Sequence, residues 1–400
     1  MMIKTSNRTE QKNDWLLAIL VMILAAYGVL CVAAATFSTS SDLLEDGNLN
    51  YIVTSYYGMR QSIFFLISPV VLGVVACFPY EFIRRHTKIF YGIACLLLAV
   101  ALGGKATGVK AWIDILWGYT LQPSEFVKLA CIIVGAKYLE TNEDPLGSWN
   151  SIWRLGILMG FPWALTLAQG EMGSVLVMIF IFAVMMYFGG IRMRVMFLII
   201  ALGIAFIALL YSYLVFTGSD NYRLERILSF IDPSMVDEGA VYQVNNSKIA
   251  IGSGGLSGVG AFTQGSLSQL DYVPEDWTDF IFASIGEIFG FYGTSFVLIM
   301  YMLIIARMLW LAYYTMDRFG QMIIIGVMAM LLFHVFENVG MTTGLTPVTG
   351  IPLPFLSYGG SNLVTNMIGI GMVLNVVKNR SNISLSDRTL QTQTIGRYMK

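Results

Sequence analysis

Long apolar stretches, each about the length of a membrane crossing, alternate with short polar breaks from Trp15 to the approach of the C-terminal tail. The hydrocarbon core of a bilayer takes about 20 residues of helix, and backbone groups in lipid must find partners within their own element. The stretches are continuous, without the ten-residue alternation of a transmembrane barrel, so the pattern predicts helices. Ten are expected, near residues 15–37, 61–79, 88–104, 122–139, 154–170, 172–190, 195–216, 279–305, 321–343 and 356–377. The fold class is therefore all-α: a polytopic membrane helical bundle of about ten transmembrane helices, one integral membrane domain over residues 1–400.

Basic residues orient the bundle. Lys4, Arg8 and Lys12 precede the first span, Arg84, Arg85 and Lys88 separate the second and third, and Arg192 and Arg194 separate the sixth and seventh. Arg307 and Arg318 lie between the eighth and ninth, and Lys378 and Arg380 follow the tenth. Alternate connections thus share one side, which the positive-inside rule makes cytoplasmic. Both termini are expected there, with residues 381–400 a cytoplasmic tail and residues 217–278 a large extracytoplasmic loop between spans 7 and 8. The first apolar run is too long for a cleaved signal and has no small-residue cleavage site close behind it. It reads as a retained span.

Composition removes several function classes. Hydrophobic residues make up 56% of the chain and charged residues 12%, about half the charged share of an average soluble domain. A net charge of −1 gives no footprint for nucleic acid. Two histidines are too few for a multi-histidine metal site, and the four cysteines all lie in apolar runs as small core residues.

The ionisable residues near apolar runs carry the candidate chemistry. Gln122-Pro123-Ser124-Glu125 has the signals of a helix start, and Lys128 follows Glu125 by three residues. The two can be a salt bridge at a helix start, or a charged pair facing a polar cavity. Glu171 in the turn Gln169-Gly170-Glu171 is either a helix-start charge or a substrate contact. In the long polar segment, Val241 to Ile251 suits a helix at the interface, with Tyr242, Gln243, Asn245, Asn246 and Ser247 offering hydrogen bonds to sugar or peptide. The cluster Gly252, Gly254, Gly255, Gly258 and Gly260 is no dinucleotide fingerprint, because it lacks the third glycine and the βαβ setting. It reads as a loop that uses positive φ. Asp279 after Thr278 is either a helix cap or the reactive group of the segment, and Glu287 deeper in the same span needs a partner inside the bundle. Residues 344–361, with three prolines and Gly359-Gly360, break the helix and form a second wall facing that segment.

Several stretches taken together resemble the SEDS family of bacterial membrane proteins (shape, elongation, division and sporulation). They are Trp112-Ile113-Asp114 with Gln122-Pro123-Ser124-Glu125-Phe126-Val127-Lys128; Tyr242-Gln243 with Ser247 and Ile249-Ala250-Ile251-Gly252-Ser253-Gly254-Gly255-Leu256; Thr278-Asp279-Phe280-Ile281-Phe282; and Thr349-Gly350-Ile351-Pro352-Leu353-Pro354-Phe355 with Ser357-Tyr358-Gly359-Gly360-Ser361. His334 and Asn338-Val339-Gly340-Met341 look closer to the RodA branch than to FtsW. The chain departs from the family pattern in places. Trp277 stands where His is usual, Ile288 replaces a second Glu, Glu171 an Asp, Gly170 a Pro, and Ala111 a basic residue.

The resemblance implies a peptidoglycan glycosyltransferase of the bacterial inner membrane. It would polymerise lipid II in cell-wall elongation or division beside a class B penicillin-binding protein and other membrane proteins of those complexes. The family's catalytic aspartate falls on Asp279, and its polar-cavity pair on Glu125 and Lys128. Substrate contacts are expected from these two and from Trp112, Arg223, Gln243, Ser247, Ser357 and Ser361. No organic cofactor is implied. Leaving-group charge can be met by Lys128, by Arg223, or by a divalent ion (Mg2+ or Mn2+) held partly by Asp279. Two other roles stay open: a lipid II flippase using Lys128, Glu287, His334 and Glu337 as a proton relay, or a non-catalytic scaffold of the cell-wall complex.

Overall fold

A computed structural model describes residues 14–36, 55–103, 111–114, 120–141, 146–199, 201, 238–263, 265–270 and 272–398. Helices dominate: α1 (Trp15–Ala35), α2 (Tyr56–Cys77), α3 (Tyr80–Arg85), α4 (Thr87–Leu102), α5 (Pro123–Thr141), α6 (Trp149–Gln169) and α7 (Met172–Phe188). After them come α8 (Glu238–Ser253), α9 (Ile281–Tyr313), α10 (Arg318–Thr343) and α11 (Gly360–Tyr398). One short antiparallel hairpin, β1 (Ile113–Asp114) with β2 (Thr120–Leu121), precedes α5 and pairs Ile113 with Leu121.

Six of these helices are long and apolar enough to cross a membrane: α1, α2, α6, α9, α10 and the Gly360–Asn379 part of α11. The apolar helices α4 and α7 are shorter, and α5 carries Glu125, Lys128, Lys137 and Glu140 within its length. Nine of the ten expected spans thus have a helix at their position. The seventh, at 195–216, lies almost wholly outside the described residues. The last helix does not stop where the apolar run ends but continues to Tyr398.

Polar side chains set the helix starts. Asp14 accepts from Leu17 N at 3.1 Å, Ser55 from Gly58 N at 3.0 Å, and Asp317 from Gly320 N at 2.9 Å, caps each worth about 1 kcal/mol. Asp14 also takes the guanidinium of Arg307 at 2.8 Å, fastening the start of α1 to α9.

Helix α10 is the axis of the bundle. It packs against α5, α7, α8, α9 and α11, and its apolar window is 78% buried. A helix apolar on every side belongs inside a bundle, and that is why the polar side chains of α10 are available to a site.

Helix α9 is broken at Gly290, whose φ of 62° and ψ of −156° are not helical. The break frees backbone groups, and the glycine-rich loop after α8 takes them up. Val259 N and Gly260 N donate to the carbonyls of Glu287 and Ile288 at 2.9 and 3.0 Å, and Phe291 N and Tyr292 N donate to Gly255 and Leu256 at 2.9 and 3.1 Å. Non-helical backbone is tolerated in a bundle when protein covers it and fills its hydrogen bonds. Gly258 is indispensable to this docking, because its φ is +80° and a Cβ would lie 2.2 Å from the Ile288 oxygen. Gly255, Gly258 and Gly260 take positive φ as a loop reading implies, whereas Gly252 lies within α8.

Candidate functional site

Four segments converge at one end of the bundle: the turn before α9, the proline-rich segment between α10 and α11, and the first turns of α5 and α7. Asp279 lies in the turn before α9. Helix α9 starts at Ile281, with Phe280 at the cap position. Thr278 turns its hydroxyl back to the Glu275 carbonyl at 3.1 Å, and Glu275 itself holds a φ of 57°. Asp279 is half-buried and the side chain of Asp276 is fully buried, where it accepts from Ser284 Oγ at 3.0 Å.

The backbone of this turn is held by side chains from two other elements. Asn338 of α10 donates through Nδ2 to the Asp279 carbonyl at 2.7 Å and to the Ile351 carbonyl at 2.8 Å. Ser357 Oγ donates to the Thr278 carbonyl at 2.6 Å and accepts from Leu353 N at 2.7 Å, while Tyr358 N donates to the Trp277 carbonyl at 2.9 Å. Gln61 of α2, fully buried, donates to the Ser357 carbonyl at 3.3 Å. The segment 353–358 is thus a wall against the turn. Trp277, in place of the usual histidine, stacks on Tyr57 with ring centroids 5.2 Å apart. Tyr358 meets the same Tyr57 edge-on at 5.0 Å, and burial raises its hydroxyl pKa, an effect partly offset by Arg60.

One turn along α10 from Asn338 lies His334, on the same face. Its Nε2 is 2.9 Å from Lys128 Nζ, and Lys128 donates to Glu125 Oε1 at 2.7 Å. All three are buried. Glu125 stands in the first turn of α5 and pairs with Lys128, as a salt bridge at a helix start would, and both side chains are buried inside the bundle. Glu171, at the cap position of α7, accepts from Gln122 Nε2 at 2.5 Å. Burial raises the pKa of its carboxyl, hydrogen bonds from Ser124 and Gln122 offset part of that, and the charge of Glu125 adds to it. Ser361 accepts from Gln122 N at 3.2 Å and donates to the Thr120 carbonyl at 3.3 Å, joining α11 to the hairpin.

The other expected contacts fall in different places. Ser247, fully buried, donates to the Thr342 carbonyl at 2.8 Å, which fixes α8 to the end of α10. Gln243 is half-buried on α8, Trp112 is 48% exposed at the edge of the hairpin, and Arg223 lies outside the described residues. Glu287 has its partner: its carboxylate receives Leu267 N, Ser268 N and Ser268 Oγ at 2.5, 2.9 and 2.5 Å. Glu337 accepts from Thr349 Oγ1 at 3.0 Å. Of the four groups of the proton relay, only Lys128 and His334 touch; Glu287 and Glu337 are engaged elsewhere. Asn338 was legible only as part of a RodA-like stretch, and Gln61 only as a polar residue at the head of an apolar run.

Residues 14–382 match the model of the family described as cell cycle protein, which takes in FtsW, RodA and SpoVE. The chain belongs to this family. Among its relatives, the chain is 35% identical to the peptidoglycan glycosyltransferase MrdB of Escherichia coli (strain K12), over 79% of this chain and 84% of that one. Among solved structures it resembles a peptidoglycan synthase complex described as coordinating polymerization and crosslinking, with a TM-score of 0.73 and 26% identity, over 92% of this chain and 98% of that chain. It also resembles the rod shape determining protein RodA of Thermus thermophilus, with a TM-score of 0.65 and 25% identity, over 92% and 97% of the two chains. The structural likeness is thus to RodA-type members of the family.

Proposed function

We propose that this chain is a peptidoglycan glycosyltransferase that polymerises lipid II by inverting transfer, with Asp279 as general base. Membership of the family and the activity in its relative's name support the transferase class. The observation that carries the assignment to Asp279 is the clamp on its turn: Asn338 and Ser357 hold the carbonyls of Asp279 and Thr278 from two elements. A carboxylate on a turn whose backbone is fixed from two other elements is positioned as a reacting group needs to be.

The donor sugar carries its diphosphate in α linkage and the polymer is β-linked, so one inversion suffices. It calls for a base opposite the leaving group, as inverting glycosidases use on water. Asp279 accepts the proton of the acceptor's sugar 4-hydroxyl as that oxygen bonds to the anomeric carbon. The bond to the diphosphate breaks and its electron pair leaves with it. No strong acid is needed, but the charge must be met, and Lys128 or Arg223 serves this. Among the described residues no group of three or more His, Cys, Asp or Glu is placed to hold a metal. Mg2+ is commonly held by one carboxylate and substrate phosphates; bound through Asp279, it would neutralise leaving-group charge. The transpeptidase partner is a class B penicillin-binding protein, a partnership supported by the likeness to a synthase complex. The site faces outward from the bacterial inner membrane.

The test is polymerisation of lipid II in detergent, where no flipping is needed, by the purified chain with its transpeptidase. Asp279→Asn is expected to lower the rate at least about a hundredfold. Full activity in that variant would remove Asp279 from the mechanism, and a wild-type chain that makes no polymer in detergent but moves lipid II across reconstituted vesicles would favour a flippase.

A further inference from the structure

Three buried groups meet where α5 crosses α10. Glu125 and Lys128 lie one turn apart on α5, and His334 reaches them from α10. Hydrogen bonding fixes the state of the ring. His334 Nδ1 is 2.6 Å from the Met330 carbonyl oxygen, which can only accept, so Nδ1 carries the proton. Nε2 then presents a lone pair to Lys128 Nζ at 2.9 Å, and the ammonium donates to it. A doubly protonated ring would set one N–H against another at this distance.

An ammonium has three N–H donors. Glu125 Oε1 at 2.7 Å takes one and His334 Nε2 takes a second, from a different helix. With Cε and two acceptors in place, the direction of the third N–H is set. Glu125 alone would hold the ammonium by one bond, about which the lysine head can swing, and a second carboxylate at position 334 would leave the cluster net negative. A neutral imidazole acceptor holds the ammonium from a second helix without adding negative charge.

We propose that His334 is a positioning residue that acts through Lys128, aiming the third N–H of the ammonium at an oxygen of the departing diphosphate. This rests on the transferase reading and deepens it, since it names the residue that prepares the cation of the site.

The test measures kcat and KM for lipid II polymerisation in detergent, with the full chain and its transpeptidase. His334→Leu is expected to lower kcat about ten- to a hundredfold, the usual effect of removing a supporting partner, with KM moved less than about threefold. His334→Gln, whose amide can donate to Met330 and accept from Lys128, is expected to restore kcat to within about threefold of wild type. In a Lys128→Met background, His334→Leu is expected to cost less than about twofold more, because residues acting as one unit are not additive. If His334→Leu does not fold, His334→Asn takes its place, since its amide is too short to reach Lys128, and the same loss is expected. Wild-type kcat in His334→Leu, or losses that multiply in the double variant, would overturn the proposal. So would a His334→Gln variant no better than His334→Leu, which marks a purely structural histidine. The two readings fail differently. A wild-type chain that makes no polymer sinks the transferase, whereas an active wild type with an indifferent His334 sinks only this inference.

Discussion

At the scale of single residues, the site is built from side chains whose identity was plain and whose partners were not. Glu125 and Lys128 are three apart, so their pairing follows from helical geometry, but His334 lies 206 residues from Lys128 and only packing brings them together. Glu171 shows the energetic side of this crowding. Burial favours its neutral form, so the folded protein keeps that proton to a higher pH than the unfolded chain, whose ordinary value is 4.5. The stabilisation tied to the proton is complete below that value and is lost as pH rises through the raised folded pKa. Glu171→Gln keeps the acceptor for Gln122 and removes the titration. Its melting temperature in detergent is expected to exceed wild type at pH 7 to 8, with the gap closing at about pH 4. Equal gaps at both ends of that range would mean that burial does not govern this carboxyl.

At the scale of elements, the broken helix α9 and the loop after α8 form one interlocked piece. Two glycines close together in sequence should respond in opposite ways. Gly258→Ala meets both a positive φ and the Ile288 oxygen, and is expected to destabilise by about 2 kcal/mol or more. Gly252 lies within α8 and a Cβ there meets nothing within 4 Å, so Gly252→Ala is expected to be neutral or stabilising by up to about 1 kcal/mol. Thermal unfolding of the two variants decides between them. Glu287 also belongs to this piece. Glu287→Gln removes the charge that holds Leu267 N and Ser268 N, and hydrogen exchange is expected to speed up at those amides while polymerisation is largely kept. Loss of activity with unchanged exchange would return Glu287 to the chemistry. The polar character and glycine content of this segment were legible, but its docking on α9 was not. Nothing local in the sequence marks the break at Gly290, since glycine within an apolar run serves close packing as readily as a kink.

At the scale of the whole molecule, helix positions were set by the apolar runs, and for α1, α7 and α10 the boundaries lie within about three residues of those expected. Orientation follows from the basic residues of alternate connections, which the positive-inside rule places in the cytoplasm. Reporters fused after residue 378 are expected to be active only if they work in the cytoplasm, and reporters inserted in the polar segment near residue 265 only if they work outside it; the reverse pattern would invert the site. By itself, the sequence determined that this is a helical membrane protein, which residues cross, and which few carboxylates and cations are too costly in hydrocarbon to be accidental. Those properties follow from length and transfer free energy, and both are local. Only the tertiary structure decided that Asn338 and Ser357 hold the turn of Asp279, that Lys128 has a histidine as well as a glutamate for a partner, and that Glu287 closes a loop. Each depends on contacts between helices distant in sequence, and the apolar pattern that drives those helices together does not say which polar groups will meet.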